Sequence, residues 1–390
     1  MKTITSEKKD ILSAIADILH DIFDRDYYAD KAIEYFFRNH RLTDDNVRQI
    51  IAEGVYHILR EGGHFQAIAA SDSVYDTGCA WYESTIEKID FSDKIQSLSR
   101  QQRLSVTEWM DSFASAQLGD RYENIFASLQ KAPRVYIRAN TLLTTPSELV
   151  TLLEREGLEP TIVSNECVEI SNIRGLFRTE AFKKGLCEVQ DFASQYVAHF
   201  CNVEPGMRII DGCAGAGGKS LHLAALMKNK GRVLCLDIYE EKLDQLLSRA
   251  RRASVSIIET RRITSSKTIK RLDSSADRVL LDAPCSGSGV FRRNPDAKWR
   301  LDQEDMDNLI ATQKDILRRY ARMTKPDGLL IYVVCSIFPC EGEEQVHNFL
   351  SESNEQWECI EEKRFSPIDD YDGFYMAKLR RKSNTLPLTE

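Results

Sequence analysis

The stretch GMRIIDGCAGAGGKS at residues 206–220 joins an apolar run to a glycine-rich turn and then to a helical pattern. This order predicts a β-strand followed by a helix whose first backbone N–H groups face a ligand. Gly212 lies one position too early for a Walker A loop. Gly215, Gly217 and Gly218 do not have the dinucleotide-binding spacing either. A tight turn that binds no ligand stays open as an alternative.

Strand-like and helix-like segments alternate after this stretch. The apolar runs RVLCLD (232–237), ADRVLLDAP (276–284) and GLLIYVVCS (328–336) are separated by helical patterns. Such alternation predicts a parallel sheet covered by helices on both faces. We therefore expect an α/β fold in which ligands bind beyond the carboxyl ends of the strands.

The first half of the chain shows two other sequence patterns. Residues 1–130 carry apolar side chains at intervals of three to four residues, which predicts an all-helical domain. Residues 131–190 mix strand-like segments with the helical pattern TPSELVTLLEREG at 145–157, which predicts a small α/β module. The sheet-forming part then occupies residues 191–385, so we expect three domains.

The net charge of −8 over 390 residues is unevenly distributed. Residues 1–120 carry 13 Lys and Arg against 21 Asp and Glu, whereas the remaining 270 residues carry 39 of each kind. Within that neutral part basic side chains cluster, as in FRRNPDAKWR at 291–300. Because nucleic-acid binding depends on local patches, the acidic total does not exclude it. A solvated helix face is the alternative interpretation of such a cluster.

The apolar runs and the cysteines limit the protein class. No apolar run approaches the roughly 18 residues of a membrane span, and MKTITSEKKD at the start is no signal segment. We expect a cytoplasmic protein that does not bind membranes. The ten cysteines form no C-x-x-C pair, so we expect reduced thiols and no metal site. Five of them are interpreted as small core residues, namely Cys167, Cys187, Cys201, Cys235 and Cys359.

Polar side chains suited to catalysis or ligand binding lie where the predicted strands end. These are Asp211, Asp237, Asp282 with Cys285, and Cys335. Because the carboxyl ends of parallel strands meet at one edge, we expect these side chains at a single crevice. Asp237 ends the second strand, where an acid can accept a ribose hydroxyl. Polar or Gly/Pro loop residues follow both cysteines, which weakens their interpretation as core residues.

Five segments, in chain order, resemble the motifs of the Nop/Sun family of S-adenosylmethionine-dependent RNA cytosine-5 methyltransferases. They are DGCAGAGGKS (211–220), LLDAPCSGSG (280–289), RRNPDAKWR (292–300), VVCSIFPCEGEEQV (333–346) and DGFYMAKLRR (372–381). RANTLLTT (138–145) and EVQDFASQYVAHF (188–200) resemble upstream segments of the family, so the resemblance covers roughly residues 133–382. The helical first third resembles the NusB-like RNA-binding domain of bacterial small-subunit rRNA members. The resemblance implies a Rossmann-like class I methyltransferase domain and methyl transfer to carbon 5 of a cytosine in RNA.

The resemblance also implies residue roles. Cys335 is the nucleophile that adds to carbon 6 of the base, Cys285 assists its release, and Asp282 hydrogen-bonds the cytosine ring. DNA cytosine-5 methyltransferases use the Pro-Cys cysteine as nucleophile, so the reverse assignment of the thiols stays open. Lys219 is implied at the crevice as a further catalytic residue. The implied S-adenosylmethionine-binding residues are Asp211, Cys213, Ala214, Gly215, Ala216, Gly217, Gly218, Lys219, Asp237 and Asp282, and the expected RNA-binding residues are Arg292, Arg293, Lys298 and Arg300.

Two departures from the family pattern leave alternatives open. Gly215 and Ala216 stand where the family has Ala-Pro, and Thr264 stands near the position of an acid that commonly follows the third strand. The missing acid favours, as a second hypothesis, a ribosome-assembly binding protein without catalysis. For an enzyme we expect an RNA partner, with rRNA favoured over tRNA, and a monomer without metal.

Overall fold

The computed structural model describes residues 3–42, 44–95, 97–171 and 173–383. The outer limits of the predicted domains, residues 1 and 385, lie outside these ranges. The chain divides into two compact units, residues 1–132 with 290–303 and residues 133–289 with 304–390. Among the described helices, none combines the length and the apolar character that crossing a membrane requires.

The helices begin and end as follows: α1 (Lys8–Phe23), α2 (Ala29–Asn39), α3 (Asp45–Ala69), α4 (Val74–Thr85), α5 (Ser92–Ile95), α6 (Arg100–Leu104), α7 (Glu108–Leu118), α8 (Tyr122–Gln130), α9 (Pro146–Arg155), α10 (Ile173–Leu176), α11 (Glu180–Lys183), α12 (Phe192–Phe200), α13 (Gly218–Leu226), α14 (Glu240–Arg252), α15 (Ser266–Lys270), α16 (Ala297–Arg300), α17 (Gln303–Tyr320) and α18 (Glu343–Glu352). The strands are β1 (Thr3–Ile4), β2 (Arg41–Leu42), β3 (Val135–Ala139), β4 (Pro160–Ile162), β5 (Cys167–Ile170), β6 (Cys187–Val189), β7 (Arg208–Asp211), β8 (Arg232–Asp237), β9 (Ile258–Arg262), β10 (Ala276–Asp282), β11 (Thr324–Val334), β12 (Trp357–Phe365) and β13 (Phe374–Arg381).

The first unit is helical, as its apolar spacing predicts. Ile15 of α1, Ile51 and Val55 of α3 and Trp81 of α4 are at most 2% exposed and belong to one core. The helices pack closely because Gly54 has no side chain; a Cβ atom there would lie 2.7 Å from Ile15 Cδ1. Burial of these apolar faces, rather than helix propensity, supplies most of the stability of such helices.

The segment 290–303 packs within the first unit. Trp299 donates from Nε1 to the Leu59 carbonyl at 2.7 Å, and Lys298 donates from Nζ to the Arg60 carbonyl at 2.6 Å. Phe291 lies edge-on to Phe126, with ring centroids 6.4 Å apart. This segment lies within the predicted domain 191–385, because nothing in its sequence pattern marks these long-range contacts with helices α3 and α8.

The second unit is built on a mixed sheet with strand order β12-β13-β11-β10-β7-β8-β9 among the described residues. Neighbouring strands from β11 to β9 run parallel, and β13 pairs antiparallel with β11 and β12. Successive residues of a strand enter opposite cores, with Ile209 and Leu280 on one face and Ile210 and Val279 on the other. This burial on both faces explains the continuous apolar runs. The predicted α/β class is confirmed.

A smaller antiparallel sheet of order β4-β5-β3-β6 belongs to the same unit. Asn140, directly after β3, donates from Nδ2 to the carbonyls of Gly185 and Ala253, both at 2.9 Å. Ala253 directly follows helix α14, which connects strands β8 and β9 of the large sheet. A single buried amide therefore links the two sheets of the unit.

Candidate active site at the carboxyl ends of the strands

The two cysteines at the strand ends are in contact. Cys285 follows β10 and Cys335 follows β11, and the parallel register pairs Asp282 with Val333 so that both strands end at one edge. The sulfur atoms lie 3.3 Å apart. The pKa of the Cys285 thiol is raised well above its usual range, first by its hydrogen bond to Cys335 and second by burial. Cys285 therefore stays a thiol at neutral pH, and either sulfur can be the donor in this contact.

A buried carboxylate holds the two cysteine loops together. Glu341 is fully buried, and its Oε1 accepts from the Ser286 backbone N at 2.8 Å and from Gln313 Nε2 at 2.9 Å. Its Oε2 accepts from the hydroxyls of Ser286 and Ser336, each at 2.5 Å. Four donors satisfy this charge, which makes its burial tolerable. No local sequence pattern marks Glu341 or Gln313, because both act through contacts distant in sequence.

Backbone contacts strengthen the same junction. The Gly289 N–H donates to the Cys335 carbonyl at 3.0 Å, and the Ile337 N–H donates to the Ser288 hydroxyl at 3.0 Å. The Ser288 and Ser336 hydroxyls lie 3.0 Å apart. These bonds fix the backbone on both sides of Cys335.

Lys219 and Asp282 form an ion pair beside the thiols. Lys219, in the first turn of α13, lies with Nζ 2.7 Å from Asp282 Oδ2. Burial lowers the pKa of Lys219, but the carboxylate of Asp282 outweighs this, so that the pKa is raised overall. The lysine is therefore a fixed cation. It contacts one of the two carboxylate oxygens of Asp282.

The glycine loop turns the chain from β7 into α13. Asp211 is 1% exposed, and its Oδ2 accepts from the Ser220 hydroxyl at 2.6 Å, which closes the loop at its base. Burial raises the pKa of Asp211 to about 6. Gly217 has φ 83° directly before α13 begins, a conformation that glycine adopts without steric cost. Burial raises the pKa of Cys213 well above its usual range, so this thiol is unreactive.

Asp237 is aligned by two backbone N–H groups. Its Oδ2 accepts from Gly215 N at 2.8 Å and its Oδ1 from Tyr239 N at 2.9 Å. Each oxygen keeps a further lone pair for a hydroxyl group. The carboxylate that is predicted from the sequence to bind a ribose is thus held in one orientation.

Two arginines bind carbonyls of the glycine loop. Arg249 of α14 donates from Nη1 to the Ala216 carbonyl at 2.7 Å. Arg138 of β3, in the small sheet, donates from Nη1 to the Gly218 carbonyl at 2.9 Å. Neither arginine is predicted as a site residue from the sequence, since a single arginine in a helix or a strand is not a recognisable motif.

A cavity of about 300 Å³ lies over these strand ends. Its walls include Gly212, Cys213, Gly215, Asp237, Tyr239, Ile263, Asp282, Pro284, Ile316 and Tyr320. Four of the predicted cofactor-binding residues line this cavity, namely Cys213, Gly215, Asp237 and Asp282. A fifth, Asp211, accepts from Ser220 at the base of the glycine loop. Ala214 instead packs into the hydrophobic core, and the Ala216 carbonyl is bonded to Arg249. Ile263 contributes an apolar wall just after the third strand of the parallel set, near the position where the family has an acid.

The predicted RNA-binding residues lie in the first unit, and two of them are buried. Arg292 is 1% exposed and Lys298 is 4% exposed. Arg300 forms an ion pair with Asp26. Arg293 is half-buried. Packing of the segment against α3 encloses the Arg292 and Lys298 side chains, and their assignment to RNA binding stays a prediction.

Comparisons with known proteins agree with the fold. The chain is 30% identical over 298 residues to "Probable ribosomal RNA small subunit methyltransferase B" of Bacillus subtilis, which covers 71% of this chain and 65% of that protein. It is 32% identical over 265 residues to "Ribosomal RNA small subunit methyltransferase B" of Pasteurella multocida, covering 64% of this chain and 59% of that protein. The chain therefore spans less than two thirds of the length of these relatives.

The crystal structure of PH0851 superposes with a TM-score of 0.79 at 24% identity, over 96% of this chain and 99% of that one. This likeness supports the fold. Residues 198–380 match the family described as 16S rRNA methyltransferase RsmB/F. The match over these residues agrees with the resemblance noted in the sequence.

Proposed function

We propose that this chain transfers a methyl group from S-adenosylmethionine to carbon 5 of a cytosine in RNA. The observation that carries the proposal is the contact between Cys285 and Cys335, 3.3 Å apart, on the loops that follow two adjacent strands. Asp282 lines the glycine-loop cavity at the end of one of these strands. The names of the curated relatives support small-subunit rRNA as the substrate.

The cavity residues fit S-adenosylmethionine. Asp237 has acceptor capacity for the ribose hydroxyls, and Ile263, Ile316 and Tyr320 form an apolar wall suited to adenine. The glycine loop exposes backbone close to the cavity, which suits the amino-acid end of the ligand. S-adenosylmethionine supplies a methyl group on a positively charged sulfur. The apolar Ile263 indicates that adenine is held here by packing.

Cys335 is the proposed nucleophile. Carbon 5 of cytosine attacks poorly on its own, and thiolate addition activates it. The Cys335 sulfur forms a bond to carbon 6, and the electron pair of the carbon 5–carbon 6 double bond moves toward carbon 5, which then takes the methyl group. Asp282 assists by hydrogen-bonding the ring, and Lys219 holds its carboxylate in place.

Cys285 is the proposed release residue. Its raised pKa keeps it protonated, which suits a group that donates a proton to the departing sulfur and not one that attacks. After methylation the proton on carbon 5 passes to a base, the double bond forms again, and the bond between carbon 6 and the Cys335 sulfur breaks. In the reverse assignment, Cys285 would have to lose its proton first.

The remaining parts of the chain are proposed to bind RNA. Residues 1–130 act as a NusB-like RNA-binding domain, residues 131–190 as a linking module, and residues 191–385 carry catalysis. Arg293 stays a proposed phosphate contact.

Methylation assays test the activity and its target. The purified chain is incubated with methyl-labelled S-adenosylmethionine and either small-subunit rRNA or tRNA, and bisulfite sequencing locates the modified base. We expect one methylated cytosine in the rRNA and none in the tRNA. Label in tRNA alone would replace the rRNA assignment, and binding of rRNA without label would favour the non-catalytic assembly protein.

Cysteine variants test the division of labour. Cys335→Ala should abolish methylation, because no thiolate adds to the base. Cys285→Ala should accumulate a covalent RNA adduct, seen on a denaturing gel as a slower band that nuclease removes. The double variant is the control and should give no adduct. An adduct that needs Cys285 and survives Cys335→Ala would reverse the roles.

A further inference from the structure

One carboxylate and two imidazoles converge in the second unit, outside the cavity described above. Glu166 directly precedes β5, His199 lies in the last turn of α12, and His222 lies in α13. Each offers one ligand atom, and these atoms all lie within 4.8 Å of one another. Across the part of the chain that the structure describes, this is the one group of three such residues with that property. The proposed methyl transfer uses none of them.

His222 lacks the hydrogen bonds that a buried imidazole normally makes. The residue is 1% exposed, and within the described ranges neither of its ring nitrogens has a hydrogen-bond partner. Its Nε2 lies 3.6 Å from Glu166 Oε2, which is beyond hydrogen-bonding distance. Buried polar groups are ordinarily satisfied, so an unpartnered nitrogen facing a carboxylate calls for an explanation. An ion between the two side chains would satisfy both.

The third side chain completes the set and leaves it open to water on one side. His199 Nε2 lies 2.6 Å from the same Glu166 oxygen. The His199 side chain is 41% exposed, whereas that of Glu166 is 11% exposed. An ion can therefore enter past His199, and a water molecule can complete its coordination.

The local charge permits a cation. The positive charge of Arg138 acts on His222 and opposes cation binding. The negative charges of Glu188 and Glu166 partly offset the positive charge of Arg138. Glu188 is buried and paired with Arg249 and Arg252. Glu166 faces His199 and His222 and, within the described ranges, pairs with no arginine or lysine, which leaves its charge for the ion.

We propose that Glu166, His199 and His222 bind one divalent transition-metal ion, for which Zn²⁺ is the probe of choice. Two imidazole nitrogens and one carboxylate oxygen form a ligand set that zinc accepts, with water in the fourth position. The ion would tie the residue before β5 to helices α12 and α13. It would thereby stabilise the helix that begins at the glycine loop. The proposal does not depend on the methyl-transfer reaction.

Zinc binding by the full chain tests the site. Because the contacting thiols could also bind zinc, the measurement uses a background in which Cys285 and Cys335 are both serine. The protein is stripped with a chelator, loaded with Zn²⁺ and desalted, and bound metal is measured by mass spectrometry. We expect one equivalent of zinc and a higher melting temperature than that of the stripped protein.

The decisive variant is His199→Gln, since this exposed side chain can change without disturbing the core. It should weaken zinc binding by more than about 100-fold, since even supporting residues of metal sites change affinity by 10–100-fold. The matched control is His20→Gln, which removes an exposed imidazole that lies 2.8 Å from a single carboxylate, Asp24. This control should still bind one equivalent of zinc and show the same rise in melting temperature.

Glu166→Gln gives an independent check, with folding verified by circular dichroism. Loaded with Co²⁺, the unaltered site should give visible absorption bands that disappear in Glu166→Gln and in His199→Gln. Equal zinc content and equal thermal shifts in the background protein and in His199→Gln would overturn the proposal.

Discussion

Gly217 packs its backbone directly against the Leu246 side chain, where a Cβ atom would lie 2.4 Å from Leu246 Cγ. This contact joins the glycine loop to helix α14. The loop position is therefore constrained twice, by a φ of 83° and by the lack of space.

The first prediction concerns this contact. Gly217→Ala should destabilise the protein by roughly 2–5 kcal/mol, because backbone strain and overpacking add. Gly215→Ala is the matched control, since Gly215 also has positive φ but no atom within 4 Å of its added Cβ. In the control variant the free energy of unfolding should fall by only about 1 kcal/mol. Urea unfolding of both variants measures the difference, and equal losses would contradict the packing argument.

The second prediction follows from the two thiols in contact. A mild oxidant such as diamide, which accepts two electrons and two protons, should join Cys285 and Cys335 in a disulfide. Methylation should fall by more than about 10-fold, because the proposed mechanism needs the free thiolate, and dithiothreitol should restore it. Mass spectrometry should identify the linked peptides. Cys359→Ser is the control and should respond like the wild type; loss of activity without the linked peptides would refute the prediction.

The third prediction concerns the buried Glu341. Glu341→Gln replaces one acceptor oxygen with an NH₂ group that faces existing donors, so two or more hydrogen bonds to a charge are lost. We expect a loss of roughly 2–4 kcal/mol in the free energy of unfolding and a larger fall in kcat than rise in KM. Glu344→Gln, at an exposed position of α18, should change neither. Unaltered kcat in a folded Glu341→Gln protein would remove Glu341 from the positioning of the thiols.

The fourth prediction concerns Lys298, whose pKa burial lowers to about 7. An unfolded lysine titrates near 10.4, so the folded state disfavours the proton. The resulting destabilisation is full below about pH 7 and fades as the pH rises toward 10. Lys298→Met should therefore raise the free energy of unfolding by on the order of 3 kcal/mol at about pH 6, and by less at about pH 9.5.

The exposed Lys267→Met is the control for that measurement and should give no pH-dependent gain. Chemical denaturation at both pH values makes the comparison. A gain at Lys298 that does not depend on pH would mean that packing, and not the buried charge, is responsible.

The sequence predicts the parts of the site that follow strand ends. Asp211, Asp237, Asp282 and the two cysteines meet at one edge because parallel strands make them meet, and each can be found from a short local pattern. The glycine loop is predictable for the same reason, since its spacing is local. The α/β class follows from the alternation of the segments.

What the sequence does not reveal depends on contacts between distant residues. Glu341 supports the thiol loops through Ser286 and Gln313, which lie 55 and 28 residues away. The basic segment 290–303 has the composition of a surface patch, yet Trp299 and Lys298 fix it against α3. The set of Glu166, His199 and His222 has no recognisable spacing, and the expectation of no metal considered only the cysteines.

The bond from Arg138 to the Gly218 carbonyl bears on how this protein can be divided or recombined. A fragment that begins at residue 191 would keep every strand of the large sheet but lose Arg138, Asn140 and Glu166. Its glycine loop would lose a partner that the small sheet provides. A viable gene fusion or truncation should therefore keep the small and the large sheet together, with no break of the chain between residues 133 and 191.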